Sequence, residues 1–451
     1  MSKFSRRALR TAVVAVAASS LLAGCAGAAS SADTVSYWAA FNSTDTQKTF
    51  QSEFIDAFNE SSDGAQAKLD VKQWSNIGSL TDTAVAAGRG ADVVFSPGPS
   101  SALGFASAER IESLDSFATE YEWEKLLEPW AYQASLVNGE LYSIPTGYGS
   151  IVMFYNPGVF AEHGWTVPTT AAEFEKVATE AAAAGMIPVG AGNSGYQAQS
   201  EWYLSAVLNA AVGPEKLYEV LTGTAKFTDP EFVDAMTTLK TQIDKGWWGG
   251  SANSYFTNTD TDMFAGLASG KVALYMTGTW SFSSAGSYFG EAAGNDAEWD
   301  WAPLPALSDN VEPGVYPLAI GTSLSINAVS KNKPAAAKFL DSLINDPAKI
   351  YNYMAKTSEN PAPVVVDEAD FPADLDERVA RLYKDIPTSS NLGYASWTFF
   401  PAATDTYLYT EFDKIITGDM SPSDYLAGLQ KTFDGELAAG KVIVPFAPTA
   451  G

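Results

Sequence analysis

A regular alternation of short apolar strands and amphipathic helices near the start of the chain constrains the fold most. The pattern predicts strands at 35–38, 69–74 and 91–95, separated by helices over 46–59 and 77–87. Strands joined through helices by short connections run parallel, with right-handed crossovers. The predicted fold class is therefore α/β. In such sheets ligands bind beyond the carboxyl ends of the strands, so the loops after these three strands are candidate binding loops.

A second α/β region begins near residue 150. The apolar run at 151–156 predicts a buried strand, and Thr170 with Glu173 predicts a capping box at the start of a helix. Further helices are predicted over 334–344, over 405–417 and from 421 onward. The chain is long enough for two or three domains.

The first 24 residues have the pattern of an export signal. A basic start is followed by an apolar stretch, Thr11–Leu22, which is too short to span a membrane. The sequence Leu22-Ala23-Gly24-Cys25 resembles a bacterial lipobox, a signal that is cut before the cysteine, whose thiol then receives a diacylglycerol. The small residues of 25–33 predict a lipidated tether. The twin arginines Arg6-Arg7 leave the export route open between the general and the twin-arginine pathways.

The charge and the composition exclude several classes of function. The formal charge is −26, and it is −30 from Cys25 onward because the first 24 residues carry four basic residues and no acidic ones. Such a surface repels phosphate backbones, so we expect no nucleic-acid partner. The single cysteine excludes an intramolecular disulfide, and the single histidine, His163, excludes histidine triads and ordinary zinc sites. We expect no cofactor and no metal.

Two local motifs suggest sites but fit a structural role better. The sequence GAGNSG at 190–195 matches a dinucleotide-binding pattern, but Pro188 interrupts the preceding strand and Tyr196-Gln197 is a poor helix start, so a loop is predicted. The acids of DTD at 260–262 are predicted to lie at a helix start. Spacing alone does not exclude a pair of catalytic carboxylates.

Tryptophans at predicted strand ends and in loops are the strongest indication of a binding site. In GKVALYMTGTWSF, residues 270–282, Trp280 follows a buried strand and a glycine turn. Tryptophan presents a large rigid face on which sugar rings stack, whereas for any one tryptophan packing in the core is the alternative. The tryptophans in such positions are Trp38, Trp74, Trp280 and Trp397.

Four segments resemble the maltose-binding type of family 1 extracellular solute-binding proteins, which serve ABC importers. They are LYSIPTGYGSIVMFYN at 141–156, FAEHGWTVPTTAAEF at 160–174, FAGLASGKVALYMTGTW at 264–280 and LSINAVSKNKPAAAKFLDSLI at 324–344. The resemblance covers most of the chain after the signal peptide.

The resemblance implies a two-lobed periplasmic-binding-protein-like fold with a hinge of three crossovers and a ligand cleft between the lobes. The crossovers are expected near 145–150, 302–307 and 325–330. The predicted parts are a signal peptide at 1–24, a tether at 25–33, an N-terminal lobe at 34–147 plus 303–328, and a C-terminal lobe at 148–302 plus 329–451.

The resemblance also implies ligand-binding positions. Trp280 occupies the aromatic position of the family's Gly-x-Trp pattern, and Trp202 and Trp397 fall in segments that commonly face the cleft. Tyr148 and Ser150 flank Gly149 at the first crossover, so we include Tyr148, and no carboxylate is present there. From the topology of the strand-end loops, the N-terminal lobe is expected to supply Asn42, Ser43, Trp74, Asn76 and Ser96.

The predicted function is a lipid-anchored receptor on the extracytoplasmic face of a bacterial cell membrane. We expect a monomer that captures a neutral oligosaccharide and delivers it to the transmembrane subunits of an ABC permease, with no catalytic residue. One alternative is a receptor for iron, a polyamine or a phosphorylated ligand on the same fold. Others are a cell-surface glycoside hydrolase and a lipid-anchored adhesion or structural protein.

Overall fold

The computed structural model describes residues 34–443 and 445–448. Their strands are β1 (Thr34–Ala39), β2 (Gln66–Val71), β3 (Val93–Ser96), β4 (Leu136–Val137), β5 (Glu140–Leu141), β6 (Ile144–Tyr155), β7 (Ile187–Gly190), β8 (Val272–Gly278), β9 (Asp300–Ala302), β10 (Tyr316–Ile326) and β11 (Leu392–Tyr394).

The helices of the first half are α1 (Thr44–Phe50), α2 (Ala57–Ser61), α3 (Trp74–Ala86), α4 (Pro99–Ser107), α5 (Asp115–Glu120), α6 (Trp123–Leu126), α7 (Pro129–Ala134), α8 (Pro157–His163), α9 (Ala171–Ala183), α10 (Ser200–Ala211) and α11 (Pro214–Leu221). Those of the second half are α12 (Pro230–Asp244), α13 (Ala252–Tyr255), α14 (Asp260–Ala268), α15 (Phe282–Ala285), α16 (Lys333–Ser342), α17 (Pro347–Thr357), α18 (Glu377–Asp385), α19 (Ser396–Phe399), α20 (Ala402–Thr417) and α21 (Pro422–Ala438). A π-helical segment, Gln51–Asp56, joins α1 to α2.

The first three strands form a parallel group, as the alternating pattern predicts. Strand β1 lies between β2 and β3, with Thr34 opposite Gln66 and Tyr37 opposite Val93. Strand β10 continues the sheet antiparallel to β3. The carboxyl ends of β1, β2 and β3 therefore lie at one edge, where the predicted binding loops begin.

Strand β6 joins the two halves of the sheet. Its residues 144–150 pair with β10, and residues 151–155 pair with β8, both antiparallel. The strand order is β2-β1-β3-β10-β6-β8-β7, with β11 beside β10 and β9 beside β6. Strand β6 is buried except at Thr146 and Tyr155, which explains its nearly continuous apolar sequence.

Two helices pack against elements of the lobe other than the one to which the predicted boundaries assign them. Helix α16 packs against β1 and β10, with the Phe339 ring centroid 5.6 Å from that of Tyr37. Helix α17 packs against α1, and the Tyr353 ring lies 5.4 Å from the Phe54 ring. Both helices fall within 329–451, which the sequence assigned to the C-terminal lobe, whereas their apolar faces cover elements assigned to the N-terminal lobe.

Three local predictions differ from the structure. Strand β2 ends at Val71, and Trp74 opens α3, because the Gln73 carbonyl accepts the N–H groups of Asn76 and Ile77. Strand β8 continues through Gly278, which the sequence pattern placed in a turn after the strand. Pro188 lies inside β7 instead of interrupting it, since β7 is an edge strand of the described sheet, where a missing N–H is tolerated.

The predictions for the two suggestive motifs are confirmed. GAGNSG leads into a loop, because α10 begins only at Ser200. DTD begins α14, capped by the Thr259 side chain on the N–H of Asp262. The capping box at Thr170 is also present, at the start of α9.

The predicted signal peptide 1–24, the lipidated Cys25 and the tether 25–33 lie outside the described residues, so they stay predictions. Within 34–443 and 445–448, no helix combines the length and the hydropathy that a membrane span requires.

Candidate ligand-binding site

Three of the predicted tryptophans lie together. The Trp202 ring centroid is 5.1 Å from that of Trp280, which is 5.6 Å from that of Trp397. Tyr196 extends the group, with its ring 6.0 Å from Trp202. These four residues form what we call the aromatic cluster. Its tryptophan contacts are edge-to-face, with interplanar angles of 62° and 73°, so the indoles do not stack face to face on one another.

Loops and helix starts hold the rings at a partly exposed position. Trp280 lies in a short 3-10 turn directly after β8, Trp202 in the first turn of α10, and Trp397 in α19, which follows β11. All three are intermediate in exposure, and Tyr196 is 49% exposed. Four adjacent aromatic side chains with accessible surface form an apolar platform of the kind that binds ligands.

Gly278 explains how Trp280 reaches this position. A Cβ atom built at Gly278 would lie 2.0–2.2 Å from three atoms of the Trp280 ring. The indole therefore lies directly against the backbone at the end of β8, which only glycine allows. Glycine at position 278 is thus a requirement of the ring's orientation, and the strand end fixes that orientation.

A pair of interacting carboxyl groups, one buried and one half-buried, includes the residue that precedes Trp202. Glu201, which precedes Trp202 on α10, is 5% exposed, and its carboxyl group lies within hydrogen-bonding reach of that of Asp405 on α20. Burial raises the pKa of Glu201 well above its ordinary value and that of Asp405 to about 6, and Asp405 raises the pKa of Glu201 further. Two such groups in contact favour a state in which they share one proton.

Asn42 connects the loop after β1 to the turn that carries Trp280. Its Nδ2 donates hydrogen bonds to Glu359 Oε1 at 2.9 Å and Oε2 at 3.1 Å, and to Ser283 Oγ at 3.4 Å. Ser283 Oγ in turn donates to the Trp280 carbonyl at 2.9 Å. Burial raises the pKa of Glu359 to about 7, although the hydrogen bond from Asn42 lowers it.

The other residues expected from the N-terminal lobe are dispersed. Ser43 is the N-cap of α1, and its Oγ accepts the Thr46 N–H at 3.0 Å. Trp74 and Asn76 are exposed in the first turn of α3. The Trp74 ring lies 6.0 Å from that of Phe95, and no ring contact between described residues joins it to the aromatic cluster.

Ser96 and Tyr148 belong to the core in this structure. Ser96 is 1% exposed and its hydroxyl donates to the Ser323 carbonyl at 3.3 Å. Tyr148 is 2% exposed, with its ring 5.6 Å from Trp130 and 5.2 Å from Tyr383. Because neither side chain presents a free surface, we leave both out of the proposed site.

Sequence reasoning missed four residues of this site: Tyr196, Glu201, Glu359 and Asp405. Tyr196 was considered only as a poor helix start. The one local signal for Glu201 is that it precedes Trp202 on the same helix. Asp405 and Glu359 come from distant parts of the chain, and only the tertiary structure brings them to the rings.

The sequence model of the family described as bacterial extracellular solute-binding protein matches residues 40–350. The chain belongs to this family. That membership places the protein on the extracytoplasmic side and in a group of binding proteins, not of enzymes. No curated protein sequence is significantly similar to the chain.

Solved structures with the same fold include several sugar receptors. A chitin oligosaccharide binding protein has a TM-score of 0.76 at 18% identity, covering 90% of this chain and 99% of its own. The GacH receptor of Streptomyces glaucescens GLA.O, solved unliganded and with acarbose, has a TM-score of 0.72 at 20% identity, covering 90% and 98%. A structure from work on xylan utilisation by Caldanaerobius polysaccharolyticus has a TM-score of 0.73 at 20% identity, covering 88% and 99%.

These likenesses establish the fold of this family member. It is the two-lobed periplasmic-binding-protein-like α/β fold. The fold class implied by the sequence resemblance is therefore confirmed.

Proposed function

We propose that the protein is the substrate-binding component of an ABC importer and that it captures an oligosaccharide in the cleft. The aromatic cluster is the observation that carries this proposal. Sugar rings present C–H faces that stack on indoles, and Trp202, Trp280 and Trp397 offer partly exposed indoles in one place. The captured sugar is then delivered to the transmembrane subunits of the permease, and no bond is broken.

Lobe closure would complete the site. Asn42 comes from the loop after β1, whereas Ser283 follows the Trp280 turn, so their contact links the two groups of elements. We assign α16 and α17 to the N-terminal lobe with β1 and α1, on which they pack. The other predicted boundaries, 34–147, 148–302 and 303–328, are kept in this proposal. Closure is driven by the ligand's higher affinity for the closed form.

Affinity follows from stacking together with hydrogen bonds. A micromolar complex needs about 8 kcal/mol of binding free energy. Apolar faces supply the larger part of such energy, and a few placed polar groups fix the ligand's orientation. Asn42, which reaches the Trp280 turn through Ser283, and Glu201, which precedes Trp202 on α10, are candidate polar groups for this role.

A glycoside hydrolase fits the site less well. The carboxyl groups of catalytic pairs are separated by about 5 Å or more, to leave room for a sugar or a water molecule. Glu201 and Asp405 lie within hydrogen-bonding reach of each other, which leaves no such room. A receptor for iron, a polyamine or a phosphorylated ligand stays the alternative on the same fold.

The lipid anchor is part of the proposal. Cys25 would hold the protein on the extracytoplasmic face of the cell membrane through its acylated thiol, with the monomeric receptor domain free beside its permease. Mass spectrometry of the native amino terminus tests this, and a mature chain that begins after Cys25 would contradict it.

Thermal-shift screening tests the receptor function. Ligand that binds only the folded state raises the melting temperature. We expect a shift with one class of oligosaccharide and none with iron, spermidine or glycerol phosphate. A shift with one of those controls and with no sugar would overturn the proposal.

A further inference from the structure

Two turns of the aromatic cluster are bonded to side chains from distant parts of the chain. Ser100 Oγ, in the first turn of α4, donates a hydrogen bond to the Trp397 carbonyl at 2.9 Å. Thr279, which immediately precedes Trp280, donates its hydroxyl to Asn360 Oδ1 at 3.3 Å. Asn360 lies in the loop that follows α17. Each of these two tryptophan turns is therefore held by a residue that is far from it in sequence.

The contact at Trp397 is closely fitted. A proline stands four residues after Trp397, so no helical N–H reaches the Trp397 carbonyl, and the Ser100 hydroxyl satisfies it. Gly98 has a φ of +131°, and a Cβ atom there would lie 3.0 Å from the Ile320 carbonyl oxygen and 3.2 Å from that of Trp397. Thr398 Oγ1 accepts the Ile320 N–H at 3.0 Å. The backbone under the Trp397 indole is thus held between the loop after β3 and strand β10.

The contact at Thr279 lies where the two halves of the sheet join. Thr279 is fully buried, and its hydroxyl oxygen accepts the Ser150 N–H of β6 at 3.2 Å. Asn360 Oδ1 also accepts the Tyr383 hydroxyl at 3.1 Å. A Cβ atom at Gly149 would lie 2.1 Å from Thr279 Oγ1 and 2.9 Å from Asn360 Nδ2, so only glycine leaves room for this pair. Thr279 is therefore fixed from both sides, directly before the indole.

Both contacts attach the rings to the junction of the sheet. Residues 144–150 of β6 pair with β10 and residues 151–155 pair with β8, so Thr279 is held at the point where the pairing changes. Trp397 is held against β10, which pairs with both β3 and β6. A rotation of one half of the sheet relative to the other displaces their junction least. The two indoles can therefore keep one arrangement while the lobes open and close.

Rings that are already in place bind a sugar more tightly than mobile ones. Trp280 and Trp397 are partly exposed, so packing in the core does not by itself fix the directions of their faces. Each side chain that a ligand must immobilise lowers the affinity. Residues that fix the backbone under each indole therefore contribute to affinity without touching the sugar.

We propose that Ser100 and Asn360 are positioning residues of the receptor site, which hold Trp397 and Trp280 in the arrangement on which the sugar stacks. They act through the tryptophan turns and not by contact with the ligand. This inference rests on the proposed receptor function. It gives the loop after β3 a role in binding, although Ser96, which the sequence predicted as a ligand contact at that loop, is buried.

Near-UV circular dichroism of the purified full-length protein tests the positioning without a ligand. The tryptophan signal of neighbouring indoles depends on their relative orientation. We expect Ser100→Ala and Asn360→Ala each to change this signal, as Trp280→Ala does, and to leave the far-UV spectrum unchanged. Ser107→Ala, at the exposed end of α4, and Asn352→Ala, at an exposed position of α17, are the matched controls and should leave the tryptophan signal unchanged.

Calorimetry measures the consequence for binding. The probes are the trimers of glucose, xylose and N-acetylglucosamine, and the one that the unmodified protein binds most tightly is used for the variants. Ser100→Ala and Asn360→Ala should each lose about tenfold in affinity, and the controls should stay within about twofold. Asn360→Asp keeps the acceptor oxygen for the Thr279 hydroxyl, so its affinity should lie within about threefold of that of the unmodified protein.

The outcomes separate positioning from other roles. A loss of affinity with an unchanged tryptophan signal would mean that the side chains contact the sugar, and a lower melting temperature alone would mean that they serve the fold. Either result overturns the inference, and so does a changed signal with normal affinity. If the unmodified protein binds no sugar, the proposed function itself is wrong, whereas an unchanged signal in both variants contradicts the positioning alone.

The unmodified protein keeps the test valid if both variants fail to fold. Sugars do not absorb in the near ultraviolet, so the tryptophan signal of the complex reports the rings alone. Rings that are held in place before binding should give a signal of nearly the same shape before and after saturation with the trimer. An inversion of the signal on binding would show that the rings rearrange, and it would overturn the inference.

Discussion

The aromatic cluster and the N-terminal strand-end loops use their side chains in different ways. In the cluster, Trp202, Trp280 and Trp397 make edge-to-face contacts and keep accessible surface. In the loops, Ser43 caps a helix and the Ser96 hydroxyl bonds to a neighbouring strand. The two regions have the candidate residues that the sequence predicts for them, but only the cluster gathers its candidates at one place.

The difference has a physical origin. A short polar side chain after a strand is in the right place to cap the next helix, so its position alone does not distinguish a cap from a ligand contact. An indole cannot cap a helix, and leaving it partly exposed forgoes hydrophobic burial. A group of exposed aromatic residues therefore indicates function more reliably than a polar residue at a strand end.

The largest expected effect is that of Trp280→Ala. Trp280 contacts both Trp202 and Trp397, so its loss divides the aromatic cluster as well as removing a stacking face. We expect oligosaccharide affinity to fall by about 2–3 kcal/mol, roughly 30- to 150-fold, with little change in the melting temperature. Calorimetry with the sugar identified in the screen measures this.

Trp74→Ala is the matched control for that substitution. Trp74 is also an indole after a strand of the sheet, but it is 45% exposed and lies outside the cluster. We expect less than about a fivefold loss of affinity. A loss as large as that of Trp280→Ala would show that both sides of the cleft stack on the ligand, and it would remove the contrast between the two regions.

Gly278→Ala should have the next largest effect. The added Cβ would lie 2.0–2.2 Å from atoms of the Trp280 ring, so the indole must move off the strand end. We expect about a tenfold loss of affinity with the fold retained, because the ring is displaced and not removed. Gly286→Ala is the control, since a Cβ there meets nothing within 4 Å. If both variants bind normally, the orientation of Trp280 is not what determines affinity.

The raised pKa of Glu359, which contacts Asn42, predicts that the stability of the protein depends on pH. Burial raises its pKa to about 7, so in the range from about 4.5 to 7 the folded state binds more protons at this site than the unfolded state does. The contribution of Glu359 to the free energy of unfolding is therefore present at low pH and is lost as the pH rises toward 7.

Glu359→Gln should reduce this dependence. The melting temperature of the unmodified protein should fall between about pH 5 and pH 7.5, and that of the variant should fall less. The pH dependence should be reduced and not abolished in the variant. Burial raises the pKa of Asp405 and Glu201 as well, and these groups change the stability in the same direction. Identical slopes for the two proteins would show that Glu359 is not the titrating group.

The sequence predicts the framework better than the site. The parallel arrangement of β1, β2 and β3 and the helix caps at Thr170 and Ser421 follow from local patterns, because these features depend on neighbouring residues. Trp280 was identifiable because a glycine turn and a buried strand precede it. The Glu201–Asp405 pair was not, since each acid looks like an ordinary helical residue until α10 packs against α20.

Ser43→Ala should have the smallest effect on binding and separates capping from ligand contact. Loss of an N-cap side chain costs about 1 kcal/mol of stability, so the melting temperature should fall by a few degrees. Affinity for the oligosaccharide should stay within about twofold, because the Ser43 hydroxyl already accepts the Thr46 N–H and bonds to the Thr46 hydroxyl. A larger loss of affinity would mean that the ligand takes over this hydroxyl on binding. The strand-end loops would then share the site with the aromatic cluster, and the contrast between the two regions would describe the unliganded protein alone.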